Sequence, residues 1–175
     1  DRHGGLGDLE RGLMKVLHPE SFIDDPTRLY RGGRFLARLG YKWEEGTEAL
    51  AKAAFAEGIP GLLSPQRLGH ELEMMAREPH FFEGLQALDV LGGLGSLGPV
   101  ALSAELGEVL KRIEAPVPGG LFEGREAPEL SVVRRLGLLK SGEVSAWGGI
   151  LKGWGIVGSL GRLWMEDLKR MEALA

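Results

Sequence analysis

Apolar residues in this chain recur mainly at spacings of three and four, the period of a helix packed along one side. The clearest case begins at Asp25, a good N-cap residue, followed by Pro26, which is pre-shaped for a first helical position. At about 100° per residue, Arg28, Arg31, Arg34 and Arg38 share one arc of roughly 120°. Leu29, Phe35, Leu36 and Leu39 take the neighbouring arc, and Gly40 is a C-terminal stop. An alanine-rich helix over Thr47–Glu57 then ends at Gly58, and Ile59-Pro60-Gly61 forms a turn. Ser64-Pro65 repeats the cap-plus-proline signature and opens a helix to Arg77, with Leu68, Leu72 and Met75 as its buried stripe. After Glu78-Pro79 another helix turns Phe82, Leu85, Leu88 and Val90-Leu91 mostly inward, and Gly92-Gly93 and Gly98-Pro99 bracket a loop.

Beyond Pro99 the texture changes. Ala101–Glu114 is amphipathic, a Pro-Val-Pro-Gly-Gly loop follows from Pro116, and Pro128–Leu139, Glu143–Lys152 and Ile156–Leu174 complete the helices. Strand signals are weak, except that Gly4-Gly5 and Val16-Leu17 could edge a sheet. The pattern predicts an all-α fold: a multi-helical neck to about residue 98 and a second helical unit after it, with at most the edge of a sheet at the N-terminus. Trp147, Trp154 and Trp164 could form core or a contact surface, and core is the expectation.

Two features of composition change this picture. Glycine makes up 28 of 175 residues, about twice the usual share, and falls inside helical patterns. Gly32-Gly33 in mid-helix costs about 1 kcal/mol each relative to alanine. The expected return is close approach of another helix or a ligand backbone, with compositional drift as the alternative. The second feature is charge. A net charge of −4 argues against polyanion binding over the whole surface, so any such site is a local patch. No acid interrupts Thr27 to Tyr41, so the arginines lack local i, i+4 partners and must repel one another or find anions elsewhere. An acid and an arginine one turn apart offer an acceptor and a forked donor, which the edge of a nucleobase requires. The plain alternatives are a cap at Asp24-Asp25 and a solvated arginine face.

Most catalytic chemistry is missing. The absence of cysteine removes disulfides, thiolate metal sites and cysteine nucleophiles, and fits a reducing, cytoplasmic compartment. No apolar run approaches the ~20 residues of a membrane span, and no signal-peptide pattern opens the chain. His3, His18, His70 and His80 lack metal-site spacing and are expected at the surface or in packing. Ser21, Ser64 and Ser103 lack a nucleophile elbow. Gly92-Gly93-Leu94-Gly95 lacks the strand a dinucleotide site demands. The chain looks equipped to recognise a nucleobase-bearing or phosphorylated partner, and not to transform it.

The segment Asp24-Asp25-Pro-Thr-Arg28-Leu-Tyr-Arg31-Gly-Gly-Arg34-Phe35-Leu-Ala-Arg38-Leu-Gly40-Tyr41 closely resembles the signature of bacterial class II tRNA nucleotidyltransferases. These are the CCA-adding enzymes, with bacterial poly(A) polymerase as a close relative. Asp1 with Gly4-Gly5 and Asp8-Leu9 is similar to the segment closing the family's catalytic head, and Ser64-Pro-Gln-Arg67-Leu-Gly-His-Glu71-Leu72 to a neck helix. The match covers roughly residues 1 to 98. It implies three regions: a head remnant over 1–20, a nucleotide-selecting and RNA-binding neck over 21–98, and a tRNA-binding body/tail over 99–175.

The resemblance also implies roles. Asp25 and Arg28 correspond to the pair that hydrogen-bonds the base of incoming CTP or ATP, with Asp24 in place of the usual glutamate. Arg31 and Arg34 correspond to arginines bracing the nucleotide pocket and its triphosphate side, and Arg67 and Glu71 to a motif stabilising the neck beside it. Arg38, Lys42, Arg134 and Arg135, with Arg125 and Lys140, are candidates for RNA contact. The family's Gly-Ser opening, Asp-x-Asp metal pair and Arg-Arg-Asp motif have no counterpart here. The expectation is a truncated chain, inactive alone, whose full-length parent uses Mg²⁺, tRNA or another RNA 3′ end, CTP and ATP, with a catalytic head in cis. The motifs do not say whether that parent adds CCA, CC, A or poly(A). The rival reading is a non-enzymatic helical RNA- or protein-binding module sharing the arginine helix; a helix-turn-helix DNA binder is weaker still.

Overall fold

The structure is a computed structural model that describes residues 1–98, 100–104, 106–108, 110, 147–156, 158, 162 and 165. In chain order its elements are α1 (Gly5–Glu10), β1 (Leu13–Met14), α2 (Ser21–Asp24), α3 (Thr27–Leu39), β2 (Lys42–Trp43), α4 (Glu45–Ala56), α5 (Pro65–Ala76), α6 (Phe81–Asp89) and α7 (Trp147–Gly153). Short 3₁₀ turns lie at Ile59–Leu62 and Leu94–Leu97. The all-α expectation holds, with a minimal parallel sheet as the exception.

α3 is the organising helix. Asp25 is extended, and its Oδ1 accepts the Thr27 amide at 3.2 Å, so it caps the helix as its chemistry suggests. At the other end Gly40 takes φ 66° and its amide returns to Leu36, the left-handed stop that glycine permits. The two mid-helix glycines serve close approach. A Cβ on Gly32 would lie 2.0 Å from the Trp43 ring, and one on Gly33 would lie 3.1 Å from Leu88 Cδ2 and 3.4 Å from the Gly84 carbonyl. Those contacts let β2 and α6 press onto opposite needs of the same turn: ring packing on one residue, helix crossing on the next.

Leu29, Tyr30, Leu72, Met75, Phe81, Leu85 and Leu88 form a continuous buried core with Leu94, Leu97, Ile150, Leu151 and Trp154. Tyr30 meets Phe55 edge to face, with centroids 6.1 Å apart, and its hydroxyl donates to Ser96 Oγ at 2.8 Å. Burial pushes the Tyr30 phenol up to about 12, the Ser96 bond only partly offsetting it. Trp154 is core as expected, and its indole N–H donates to the Leu97 carbonyl at 2.9 Å. Gly69 lets α5 meet this segment, since a Cβ there would lie 1.8 Å from the Trp154 carbonyl oxygen.

Four expectations are corrected. Gly4-Gly5 begins α1 rather than a strand, and the strand is Leu13–Met14, not Val16-Leu17. Its partner is within the chain: Leu13 pairs with Lys42 and Met14 with Trp43. Leu39, 50% exposed, sits in the last turn of α3 and lines a shallow apolar groove with Leu9, Leu13, Leu17 and Tyr41 instead of the core. Val90, 69% exposed, follows the end of α6, where the chain swings out towards the left-handed turn at Gly92. Of the helices expected beyond Pro99, α7 falls within Glu143–Lys152 save its last residue, and Ala104, Leu106–Glu108 and Leu110 are helical. Pro128–Leu139, the Trp147 side chain and Trp164 lie outside the described residues.

Candidate functional site

The start of α3 and the first turns of α5 face one another across an open cleft of about 360 Å³. Ser64 caps α5 by accepting the Arg67 amide at 3.3 Å, and Pro65 occupies its first turn. That cap and the helical spacing set Gln66, Arg67, His70 and Glu71 along the cleft wall. Asp25, Thr27 and Arg31 line it from the α3 side. An ion pair closes one end, with Arg67 Nη2 donating to Asp25 Oδ1 at 3.0 Å.

Asp25 is held as an anion. Burial alone would raise its pKa, but hydrogen bonds from the Thr27 hydroxyl and amide and the charges of Arg67 and Arg28 bring it below the usual carboxylate value. Glu71 is the opposite case. Its half-burial raises the pKa, and the neighbouring charges of Arg34, Arg31 and His70 only partly offset this. The cleft thus combines an acceptor, two guanidinium forks and an amide side chain, which can pair with the polar edge of a planar ring.

Of the residues singled out from sequence, Asp25, Arg31, Arg67 and Glu71 meet at this cleft. Arg28 is exposed one turn from Asp25 and is not among the lining residues; one guanidinium N–H donates to the Ser21 carbonyl at 3.1 Å. Arg34 is 11% exposed, with its guanidinium over the Phe35 ring and 3.9 Å from Glu78. Arg38 lies 3.7 Å from the same Glu78 oxygen, and Lys42 is exposed on β2. So the arginine helix does find its anions elsewhere, on and beyond α5. Arg125, Arg134, Arg135 and Lys140 lie outside the described residues. Sequence reasoning missed Gln66 and His70 as cleft residues; their position one helical turn apart, flanking Arg67, was the available signal.

Asp24 turns away from Asp25, its Oδ2 lying 3.6 Å from His18 Nε2. The adjacent acids therefore do not fit a shared divalent cation. Among the described residues, no three His, Asp or Glu side chains are grouped to hold a metal ion. No described helix is long and apolar enough to cross a membrane.

No family model matches the chain. It is 36% identical over 117 residues to an A-adding tRNA nucleotidyltransferase of Halalkalibacterium halodurans, an alignment covering 65% of this chain and 27% of that protein. Over 86 residues it is 42% identical to an A-adding tRNA nucleotidyltransferase of Aquifex aeolicus, covering 49% of this chain and 10% of that one. A multifunctional CCA protein of Nitrosococcus oceani is 38% identical over 94 residues, covering 52% and 23%. Among solved structures, a CCA-adding enzyme in complex with CTP superposes over 100% of this chain and 41% of its own, with TM-score 0.81 and 27% identity. The Thermotoga maritima CCA-adding enzyme with tRNA matches at TM-score 0.78 and 25% identity, covering 98% and 41%. The chain thus spans about a quarter or less of these curated relatives, and the resemblance seen in its motifs is borne out for that segment.

Proposed function

From this kinship with a segment of tRNA nucleotidyltransferases, we propose that the chain is the nucleotide- and RNA-recognition region of such an enzyme. The observation that carries this reading is the cleft itself, where an ionised carboxylate stands beside guanidinium donors at the entrance of α3. Asp25 accepts from the base of incoming CTP or ATP. Arg28, one turn on, keeps its remaining N–H groups for the base or its phosphates. Arg31 and Arg67 frame the cleft, and Arg34, inside, balances Glu71 and Glu78. Exposed Arg38 and Lys42, with Arg134 and Arg135, contact RNA phosphates. The region over 21–98 selects the nucleotide and the region over 99–175 binds tRNA; likeness to CCA-adding enzymes solved with CTP and with tRNA supports nucleotide and tRNA as the partners.

In this reading the 175 residues recognise and do not transfer. The metal-dependent step, its Mg²⁺ and the catalytic head belong to the full-length, cytoplasmic protein, whether it adds CCA, A alone or poly(A). Asp25→Ala and Arg28→Ala in the full-length enzyme are expected to change which nucleotide is incorporated into tRNA. A change in melting temperature alone, with incorporation unaltered, refutes base selection and leaves capping. CMP or AMP incorporation by the purified 175-residue chain refutes the division of labour.

A further inference from the structure

We propose that Thr27 is a positioning residue for base selection: with Arg67 it commits one oxygen of the Asp25 carboxylate to the protein and leaves the other as the acceptor offered to the ligand. This rests on the reading of the cleft given above. The two carboxylate oxygens have different surroundings. Oδ1 accepts the Thr27 hydroxyl at 2.7 Å, the Thr27 amide at 3.2 Å and Arg67 Nη2 at 3.0 Å. Oδ2 accepts no hydrogen bond from the described residues. Thr27 is buried and is the first residue of α3, so the helix fixes where its hydroxyl points.

The terminal torsion of an aspartate is broad and nearly two-fold, so an untethered carboxylate exchanges its oxygens freely. Three donors on Oδ1 remove that freedom and set the carboxylate plane. A single fixed, proton-free acceptor welcomes an N–H donor and repels a carbonyl oxygen. Cytosine N4 and adenine N6 present amino donors at the corresponding edge, where uracil O4 and guanine O6 present acceptors. Holding the plane therefore sharpens the choice between these two classes of base. Loosening it lets Oδ2 withdraw from a carbonyl-bearing base and tolerate it.

The test compares kcat/KM for CTP, ATP, UTP and GTP in the full-length enzyme. Thr27→Val keeps the shape and removes the hydroxyl. It is expected to reduce the preference for amino-bearing bases about tenfold, the size of one hydrogen bond, while Thr27→Ser restores it. An unchanged preference, or an equal fall for all four nucleotides, overturns the proposal. If Thr27→Val does not fold, Arg67→Gln at its exposed position decides in the same way. Asp25→Asn separates the two levels: if it leaves preference unchanged, base reading by the cleft fails altogether. If Asp25→Asn alters preference and Thr27→Val does not, only the positioning role fails.

Discussion

Replacing Gly69 by alanine tests whether the segment around Trp154 truly seats on α5. In an isolated helix this change is favourable by about 1 kcal/mol, because glycine has the larger conformational entropy to lose. Here the added methyl would stand 1.8 Å from the Trp154 carbonyl oxygen, a backbone atom that no side-chain rotation can move aside. Comfortable carbon–oxygen contact needs well over 3 Å, so the two backbones must part. Overpacking of this kind costs roughly 1–3 kcal/mol. The segment is anchored by Ile150, Leu151, Trp154 and Ile156, each buried and each contributing roughly 1.5–3 kcal/mol, so it shifts rather than detaches. Set against the helix gain of about 1 kcal/mol, the expected net loss is about 1 kcal/mol, which lowers Tm by roughly 2–4 °C in a chain of this size. Hydrogen exchange of the Trp154 indole N–H, bonded to the Leu97 carbonyl, should accelerate in the same variant. A Tm that is unchanged or raised, with indole protection intact, refutes the close seating of Trp154 on α5.

Two further predictions follow from buried and balanced charge. Tyr30, raised to about 12 from an ordinary 10, favours folding fully below pH 10; that contribution falls as the unfolded phenol ionises between pH 10 and 12. Tyr30→Phe should therefore cost about 1 kcal/mol at neutral pH through the lost bond to Ser96 and should flatten part of the alkaline decline in urea midpoint. An alkaline profile identical to that of the unsubstituted protein counts against a buried phenol. Secondly, raising salt from about 50 to about 300 mM should weaken RNA binding by the full-length enzyme while leaving its ratio of CTP to UTP incorporation within twofold. A ratio that collapses with salt would mean that screened charge, not hydrogen bonding, makes the choice.

The legible parts of this fold are the local ones. Asp25-Pro26, the following period and Gly40 bound α3 because caps, proline and left-handed glycine act within a few residues of themselves. Ser64-Pro65 does the same for α5. The Gly32-Gly33 pair announced close approach without naming the neighbours, which proved to be Trp43 and α6. The pairing of Leu13 with Lys42 was hidden, because two-residue strands carry no alternation and their partners are distant in sequence. Arg34 shared an arc with Arg28, Arg31 and Arg38 and was expected to brace the nucleotide pocket with Arg31. Its burial depends on Glu71 and Glu78, which no helical period on α3 can reveal. The far wall of the cleft was legible only through the motif at Ser64–Leu72, since the bond from Arg67 to Asp25 joins two helices rather than two positions on one.

The distribution of charge explains why one helix can carry so many arginines and still offer a selective site. Glu78 lies close to both Arg34 and Arg38, and Glu71 feels Arg34 and Arg31. Asp25 is drawn on by Arg67 and Arg28. What lines the cleft is then two carboxylates, two guanidinium groups, a threonine, a histidine and a glutamine, nearly balanced in sign. A polyphosphate seeks an excess of cations, and this cleft offers none. A neutral base seeks fixed donors and acceptors in a plane, where a misplaced partner leaves a desolvated group unpaired at a cost of about 1–3 kcal/mol. On the function proposed above, this balance favours a base over its phosphates in the cleft, and the exposed Arg28, Arg38 and Lys42 are the cations left for phosphates outside it.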